Sequence, residues 1–244
     1  QIGLNHFSYC IINTNNYNLE FFNTFNVDNN FINIINKEEV LKLDFASSSV
    51  SFINFPNTLV PKELFQTENS KEILELNTDV YDIIKSDFLS QLNAYNIYTI
   101  PSVIDEIVFT FFPNAKQRSQ NTILIEQFNN INNLNNAYLN ICDNNLNITI
   151  FQQKKLIYNN SFIFSSKEDI LYFTLFTFEQ LKVNTETINL KLYGEIINGD
   201  ENHLLLYQYI RNIEFGSRPK NLKFSSNFNR IQKHQFYTLL SQFA

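Results

Sequence analysis

The sequence contains no Met and no Trp, and among its 244 residues only four are Gly, five are Pro and two are Cys. Cys10 and Cys142 each lie in an apolar, strand-like segment, which indicates buried free thiols in a reducing cytoplasm. No apolar run approaches the ~18 residues that a membrane helix needs, and no secretory segment is recognisable at the start. These absences predict a cytoplasmic protein with no membrane partner. The missing initial Met suggests that a few leading residues are absent.

Charge is sparse as well. Charged residues make up 17% of the chain, and the net charge is −6. The basic residues are thinly spread, and a protein that neutralises several phosphates needs a basic face, so nucleic acid is not expected as a partner. His6, His203 and His234 have no ligand-like spacing, which argues against a zinc site. Neither a Walker loop nor a dinucleotide fingerprint is present.

What the chain does contain is a large apolar fraction, 44%, arranged in a two-fold pattern. With a shift of 139 residues, "FSYCIINTNNYNLEFFNTFNVDNNFINI" at 7–34 lies over "LNITIFQQKKLIYNNSFIFSSKEDILYF" at 146–173 without a gap. A second similarity joins "ILIEQF" at 123–128 to "TLLSQF" at 238–243 with a shift of 115, so the first half carries an insertion. We therefore predict an internal duplication. The first lobe is expected at 1–134 with its insertion at about 44–90, and the second lobe at 135–244.

The second half is typical of the element order β-β-β-α-β-α-β-α. A turn of Asx residues is expected at 143–145, and Ser165 or Ser166 is a good N-cap with Glu168 and Asp169 in the first helical turn. Period-two and helical patterns predict strands at 137–142, 146–151, 156–164, 190–193 and 221–225, and helices from about 166 to 181, 200 to 213 and 234 to 243.

The first half repeats this order around its insertion. Pro61 is a favoured first helical residue and predicts an inserted helix, and Ser102 with Asp105 forms an approximate capping box. The strand at 96–100 is interpreted as the counterpart of the strand before Gly194. The remaining elements are predicted as strands at 1–4, 7–13, 17–27 and 44–55 and helices at 29–41 and 102–112.

A three-stranded meander followed by alternating helices and strands predicts mixed α/β sheets with helices on their faces. This order resembles the ribonuclease H-like unit, and two such units resemble the actin-like ATPase fold. The chain is most similar to an uncharacterised bacterial family, domain of unknown function 3822. The resemblance is carried by "FSYCIIN", "TLVPKELF", "KEDILYFTLFTFEQL", "LKLYGEI", "YIRNIEF" and "HQFYTLLSQF".

The resemblance implies three nucleotide-binding segments. Actin-like ATPases hold the phosphates of ATP with one β-turn from each lobe, and an Asp at the start of the turn orients Mg²⁺ and water. A Gly-Gly segment between a strand and a helix packs against the adenosine. The first-half turn, "GLNHFS" at 3–8, has no Asp.

In the second half, Asp143 stands in the expected place, but Asn144 and Asn145 replace the glycines whose missing Cβ lets backbone N–H groups approach phosphate. At the adenosine segment Gly194 is present, and Glu195 replaces the second Gly and would repel a polyphosphate. We interpret the nucleotide site as degenerate. Taken alone, Asp143 is an ordinary turn residue and Gly194 an ordinary turn glycine.

Three hypotheses follow. The leading one is a non-catalytic cytoplasmic protein that binds an unknown protein partner and has no catalytic residues, cofactor or metal. The alternative is an ATP/Mg-dependent switch that uses Asp143, Asn144, Asn145 and Gly194. The third is a metal-dependent nuclease, which needs converging carboxylates; its candidates are Asp143, Glu195 and one of the pair at 168–169.

Overall fold

The computed structural model of the protein describes residues 1–27, 30–131, 135–220, 222–228 and 230–243. The strands are His6–Asn13 (β1), Asn18–Asn26 (β2), Ser49–Phe52 (β3), Asn57–Pro61 (β4), Ile83–Leu89 (β5), Ala94–Ile100 (β6), Lys116–Ser119 (β7), Asn136–Cys142 (β8), Asn145–Gln152 (β9), Lys155–Ile163 (β10), Asn189–Gly194 (β11), Asn212–Phe215 (β12) and Lys223–Phe224 (β13). The α-helices are Phe31–Lys37 (α1), Ser70–Glu75 (α2), Ser102–Phe111 (α3), Gln120–Ile131 (α4), Lys167–Gln180 (α5), Glu201–Tyr207 (α6) and Tyr237–Ser241 (α7).

The chain divides into two compact units. Unit 1 comprises Gln1–Leu124 with Phe243, and unit 2 comprises the described residues of Ile125–Gln242, so α4 crosses the division. The lobe boundary predicted from the sequence, after residue 134, lies outside the described residues, as do the predicted starts at 29 and 221. The predicted duplication remains a prediction.

Unit 2 is built on one five-stranded sheet with the order β10-β9-β8-β11-β12. The first three strands in sequence form an antiparallel meander, and β11 runs parallel to both β8 and β12. Because β8 is central, its side chains are buried on both faces of the sheet except at its last residue, Cys142. The parallel strands end at one edge of the sheet, which brings the residues after β8 and β11 together.

The core of unit 2 lies between this sheet and its helices. It consists of aliphatic residues that alternate along β8, β9 and β11, joined by side chains from α5 and α6: Ala137, Leu139, Ile141, Leu146, Ile148, Ile150, Ile170, Phe178, Val183, Ile188, Leu190, Leu192, Ile196, Leu206 and Ile210. Ser166, one of the two predicted N-cap serines, begins α5, and it forms a capping box that was not predicted: Ser166 Oγ accepts from the Asp169 N–H, and the Asp169 carboxylate accepts from the Ser166 N–H. Its position fixes the helix against the meander.

Unit 1 contains an antiparallel pair, β1–β2, and a parallel pair, β3–β7. Ile2 joins them, because it bridges Phe7 in antiparallel register and Phe52 in parallel register. A separate antiparallel sheet has the order β4-β6-β5. Shifted by 139 residues, the bounds of β1 coincide with those of β9, which is the similarity that the sequence shows.

The interpretation of residues 96–100 is wrong. They lie in β6, which pairs antiparallel with β4 and β5 inside the inserted sheet. Under the predicted duplication, the strand that corresponds to β11 is β3, which lies inside the insertion predicted at about 44–90. The N–H of Ile53 donates to the carbonyl of Ile2 at 2.9 Å, as the N–H of Glu195 donates to that of Ile141 at 2.7 Å. The error arose because β6 is a buried strand of ordinary pattern, and only its pairing reveals the sheet to which it belongs.

Three local predictions are also corrected. Pro61 ends β4 and precedes a short 3₁₀ turn, Lys62–Leu64, rather than starting an α-helix; proline is tolerated at a strand end because its ring nitrogen has no ladder bond to make. The helix predicted over 200–213 stops at Tyr207, and Asn212–Phe215 instead pairs with β11. Ser102 does not cap α3, since Pro101 is the N-cap.

Candidate functional site

The turn after β8 contains the predicted anchor Asp143. Asp143 has φ +54°, so it is the residue of this turn that adopts the left-handed conformation. Asn144 completes the turn, and Asn145 already belongs to β9, where it pairs with Cys142. The side chains of Asp143 and Asn144 are exposed. The turn therefore forms without glycine, as expected for Asx residues.

Gly194 ends β11 in a conformation that only glycine adopts readily, with φ +83°. A Cβ at this position would lie 1.9 Å from the Ile141 carbonyl oxygen, so the missing side chain is what permits β11 to approach β8. The Gly194 N–H donates to the His234 carbonyl at 3.0 Å. Both features that could serve a ligand at Gly194, its open space and its N–H, are used by the protein's own backbone.

Glu195 follows at once and contacts the turn from the neighbouring strand. Its N–H donates to the Ile141 carbonyl at 2.7 Å, and its Oε2 accepts from the Asp143 N–H at 2.8 Å. In a phosphate-binding turn, backbone N–H groups of this kind point at the anion. Here the N–H of Asp143 donates instead to a carboxylate of the same chain, that of Glu195. A direct hydrogen bond therefore links the turn after β8 to the residue after β11.

A second carboxylate closes the start of α6. Asp200 is the N-cap, and its carboxylate accepts from the N–H groups of Ile197 at 2.6 Å and His203 at 2.7 Å. Gly199, with φ +86°, allows this tight loop, and its N–H donates to His203 Nδ1 at 3.2 Å. The N–H groups of four residues in this segment are thus hydrogen-bonded within the chain: those of Gly194, Glu195, Ile197 and Gly199.

His234 ties the chain's later part to this segment, and sequence reasoning did not identify it as part of the site. Its buried imidazole lies with Nε2 2.6 Å from the Ile196 carbonyl, so Nε2–H donates. Burial lowers the pKa of His234 below its ordinary value of 6.5, although the hydrogen bond to Ile196 and the charge of Asp200 oppose that shift. The only sequence signal was a His before an apolar run.

Three possible metal ligands meet at the same edge. Cys142 Sγ and carboxylate oxygens of Asp143 and Glu195 all lie within 4.8 Å of one another. Cys142 is half-buried, and the two acids are exposed. The pair proposed for the nuclease hypothesis, Asp143 and Glu195, is therefore brought together by the fold.

The third nuclease carboxylate is not brought to this cluster. Among the described residues, the cluster of possible ligands at this edge includes neither Glu168 nor Asp169. Asp169 is used in the capping box of α5 and also accepts from the N–H of Ser165 at 2.9 Å, and these hydrogen bonds lower its pKa. Among the described residues, the carboxylates of this cluster are those of Asp143 and Glu195.

The first-half turn has no comparable acid. The Gly3 N–H donates to the His6 carbonyl at 2.9 Å, so the loop residues are Leu4 and Asn5, and His6 is the first residue of β1. Ile53 stands where unit 2 has Glu195. The hydrogen bond from the turn N–H to a carboxylate is therefore described for the turn of unit 2 and not for the turn at 3–6 of unit 1.

A family model described as "Protein of unknown function (DUF3822)" matches residues 1–213. The chain belongs to the DUF3822 family. This confirms the family that the sequence motifs indicated; the closing motif at 234–243 lies beyond the matched residues. A search of the curated proteins finds no match to this DUF3822 chain.

Solved structures establish the fold of this DUF3822 member. A Bacteroides thetaiotaomicron VPI-5482 protein with actin-like ATPase fold and unknown function superposes with a TM-score of 0.80 at 24% identity, covering 88% of each chain. A chain of the PilM-PilN type IV pilus biogenesis complex superposes with a TM-score of 0.63 at 10% identity, covering 98% of this chain and 95% of that one. The predicted actin-like ATPase fold is confirmed.

Proposed function

We propose that this DUF3822 chain is a non-catalytic actin-like protein that acts in the cytoplasm by binding a protein partner. The proposal has two parts, the loss of triphosphate binding and the presence of a surface for a partner. The first part rests on the carboxylates at the ends of β8 and β11, and the second on exposed aromatic residues of unit 2. Cys10 and Cys142 are thiols rather than disulfide partners, which is the form expected in a reducing compartment.

The observation that carries the proposal is the hydrogen bond from Asp143 N–H to Glu195 Oε2. A phosphate oxygen approaching this turn would have to displace a carboxylate and would then lie beside two acidic side chains, those of Asp143 and Glu195. Like charges at such distances repel, and the N–H that should offset the repulsion is already engaged. At the start of α6, the Asp200 carboxylate already accepts from the N–H groups of Ile197 and His203.

Unit 2 exposes large apolar side chains on two of its helices. On α5, Tyr172 and Phe176 are exposed and stack with ring centroids 5.7 Å apart. On α6, Leu204 and Tyr207 are exposed as well. Contiguous exposed apolar surface marks interaction sites, and aromatic residues are enriched in protein interfaces. The fold is found in a protein complex in the PilM-PilN structure, which supports a binding role.

The helices of the described residues include none with the length and hydropathy of a membrane span. The test of the proposal is thermal denaturation of the purified chain with and without ATP and Mg²⁺. A ligand at about 100 times its Kd stabilises the native state by about 2.7 kcal/mol, which corresponds to roughly 5–10 °C in a chain of this size. We expect no shift beyond about 1 °C, an upper limit well below that scale.

Asp143→Ala and Glu195→Gln distinguish the alternatives. If the wild-type chain is stabilised by several degrees and Asp143→Ala abolishes the shift, the ATP-dependent switch replaces our proposal. Glu195→Gln keeps an acceptor for the Asp143 N–H but removes one negative charge. If ATP and Mg²⁺ raise the Tm of this variant alone, the charge of Glu195 is what prevents binding in the wild-type chain. Cleavage of nucleic acid with Mn²⁺ or Mg²⁺, lost in Asp143→Ala, would instead support the nuclease.

A further inference from the structure

The five-stranded sheet of unit 2 has two edges that differ in length and in charge. Among the described strands, its order β10-β9-β8-β11-β12 makes β12 one edge and β10 the other. β12 has four residues, and one of them, Glu214, is an exposed acid. Short length and charged side chains keep a sheet edge from pairing with another strand. The β12 edge is therefore protected.

The β10 edge is longer and carries less charge. β10 has nine residues, and from 156 to 163 its sequence, "LIYNNSFI", contains neither a charged residue nor a proline. A bulge interrupts the pairing with β9 between Leu156 and Tyr158, but the ladder is regular from Tyr158 to Ile163. Ile163 is 72% exposed, so solvent reaches this end of the strand. A long, uncharged edge of this kind is a template for another strand.

Alternate residues of β10 direct their backbone N–H and C=O groups away from β9. The Phe164 N–H donates to the Asn144 carbonyl at 2.9 Å, so residue 164 faces the β9 side. Because the direction alternates along an antiparallel strand, Phe162 and Asn160 also face β9, and Ser161 faces outward. The Ser161 N–H donates to Oδ1 of its neighbour Asn160 at 2.9 Å. Since Asn160 is exposed, an incoming strand displaces this side chain without breaking the ladder.

Opposite charges lie at the two ends of β10. Lys155 is exposed at its start, and Glu168 and Asp169 lie in the first turn of α5, just after its end. Lys167 does not cancel this acidic end, because its Nζ is paired with Glu201 at 2.8 Å. β10 is about 26 Å long at ~3.3 Å per residue, so the two ends do not meet within one chain. An antiparallel neighbour with the same sequence brings each basic end to an acidic end.

Lys155 lies on the face of the sheet that α5 covers. It is opposite Gln152 of β9, and Gln152 shares its face with Ile148 and Ile150 because side chains alternate along a strand. Those two isoleucines pack in the core that includes Ile170 of α5. In an antiparallel pair of two β10 strands, the Lys155 side chain and the start of the other α5 therefore lie on the same face.

We propose that β10 pairs antiparallel with β10 of a second copy of this chain, with Asn160 on the two-fold axis. In this register Tyr158 lies opposite Phe162 of the second copy, and Asn159 forms a hydrogen-bonded pair with its Ser161. Cross-strand aromatic pairs stabilise antiparallel strands, and a two-fold axis forms each contact twice. The two five-stranded sheets become one continuous sheet. This pairing is independent of the proposed function.

Disulfide trapping tests the register. Asn160→Cys places two thiols directly opposite each other, where the Cβ atoms of an antiparallel pair are about 4.5–5.5 Å apart. We expect mild oxidation to link two copies of this variant. Glu214→Cys, at the exposed β12 edge, is the matched control and should give ~10-fold less linked dimer, because a disulfide needs Cα atoms within about 7 Å. The wild-type chain measures the background from Cys10 and Cys142.

Charge reversal tests whether the partner is a second copy. Lys155→Glu and Glu168→Lys each place like charges at both ends of the pairing, so each should weaken self-association by ~5-fold or more. The double variant exchanges the charges and should restore the wild-type association. Sedimentation equilibrium over a range of protein concentrations measures the effect. Glu214→Lys is the charge control and should leave association unchanged.

A wild-type chain that stays monomeric up to its solubility limit would overturn the proposal, as would a double variant that associates no better than the single ones. Equal trapping from Asn160→Cys and Glu214→Cys would also overturn it. If Asn160→Cys links to another protein in cells and not to its own copy, the edge receives a foreign strand and the assignment is wrong. Trapping at position 160 together with restored association in the double variant supports it.

Discussion

Gly194 and Glu195 are neighbours in the candidate site, but different interactions account for the two residues. Gly194 is required by a backbone contact, since a Cβ would overlap the Ile141 carbonyl oxygen. Glu195 is exposed, and its carboxylate binds the N–H of Asp143. The glycine preserves the junction of two parallel strands, whereas the glutamate adds a carboxylate that accepts a turn N–H. Under the proposed function, the fold is kept while this turn no longer binds phosphate.

Gly194→Ala should lower the free energy of unfolding by about 4 kcal/mol, because it combines a left-handed backbone with severe overlap. Gly199→Ala is the matched control. Gly199 has a similar φ, +86°, but nothing lies within 4 Å of its hypothetical Cβ, so the cost should be only the backbone term of about 1–2 kcal/mol. Chemical denaturation of both variants measures the difference, and equal losses would show that the Ile141 contact is not limiting.

His234 should make the stability of the protein depend on pH. Its folded pKa lies below the ordinary value of 6.5, so the unfolded chain binds the proton first as pH falls. The stabilisation by the neutral ring is complete above pH 6.5 and decreases as pH falls toward the folded pKa. His234→Gln keeps an N–H donor for Ile196 and cannot titrate. We expect a smaller loss of stability below pH 6.5 in urea unfolding of this variant; an unchanged slope would contradict the assignment.

The start of α5 follows from a local signal. Ser166 is one of the two serines that the sequence predicts as N-cap, and the structure adds the reciprocal hydrogen bonds of a capping box with Asp169, three residues away. The strand predicted at 146–151 lies within β9. Both signals are carried by residues close together in the chain.

The errors concern elements whose identity depends on distant partners. Residues 208–213 carry apolar side chains compatible with a helix, but Ile213 pairs with Leu190 in a parallel ladder, which no local pattern reveals. The candidate site shows the same contrast between local signals and contacts that are distant in the chain. The sequence identified Asp143 and Gly194 and the replacement at Glu195, whereas the Asp143–Glu195 hydrogen bond spans 52 positions and was visible only in the structure.

Ser166→Ala should destabilise the protein by about 1 kcal/mol, because it removes the acceptor for the Asp169 N–H at the start of α5. Ser165→Ala is the control, since Ser165 contributes its backbone N–H to the Asp169 carboxylate and that group is retained. Thermal unfolding of the two variants should differ by roughly 2–4 °C. If both lose the same stability, the capping box does not account for the position of α5.

At the scale of the whole molecule, the fold and the residues after β8 and β11 both bear on the proposed function. An actin-like ATPase fold is an arrangement that can bind nucleotide, but fold alone does not establish function, which depends on the site. In unit 2 the site presents carboxylates to its own N–H groups, and aromatic residues on α5 and α6 are exposed to solvent. We therefore propose that the same unit disfavours an anionic ligand and binds another protein through its exposed apolar side chains.

A photo-crosslinking phenylalanine analogue at position 172 tests this directly in cells that make the protein. The Tyr172 side chain is 59% exposed and stacks on Phe176, so a partner covering α5 must come within reach of it. Leu76, 81% exposed in unit 1, is the matched control position. We expect one discrete crosslinked species from position 172 that is lost in Phe176→Ser and is not formed from position 76. Identical crosslinking from both positions, or none from position 172, would show that the exposed face of α5 is not the binding surface.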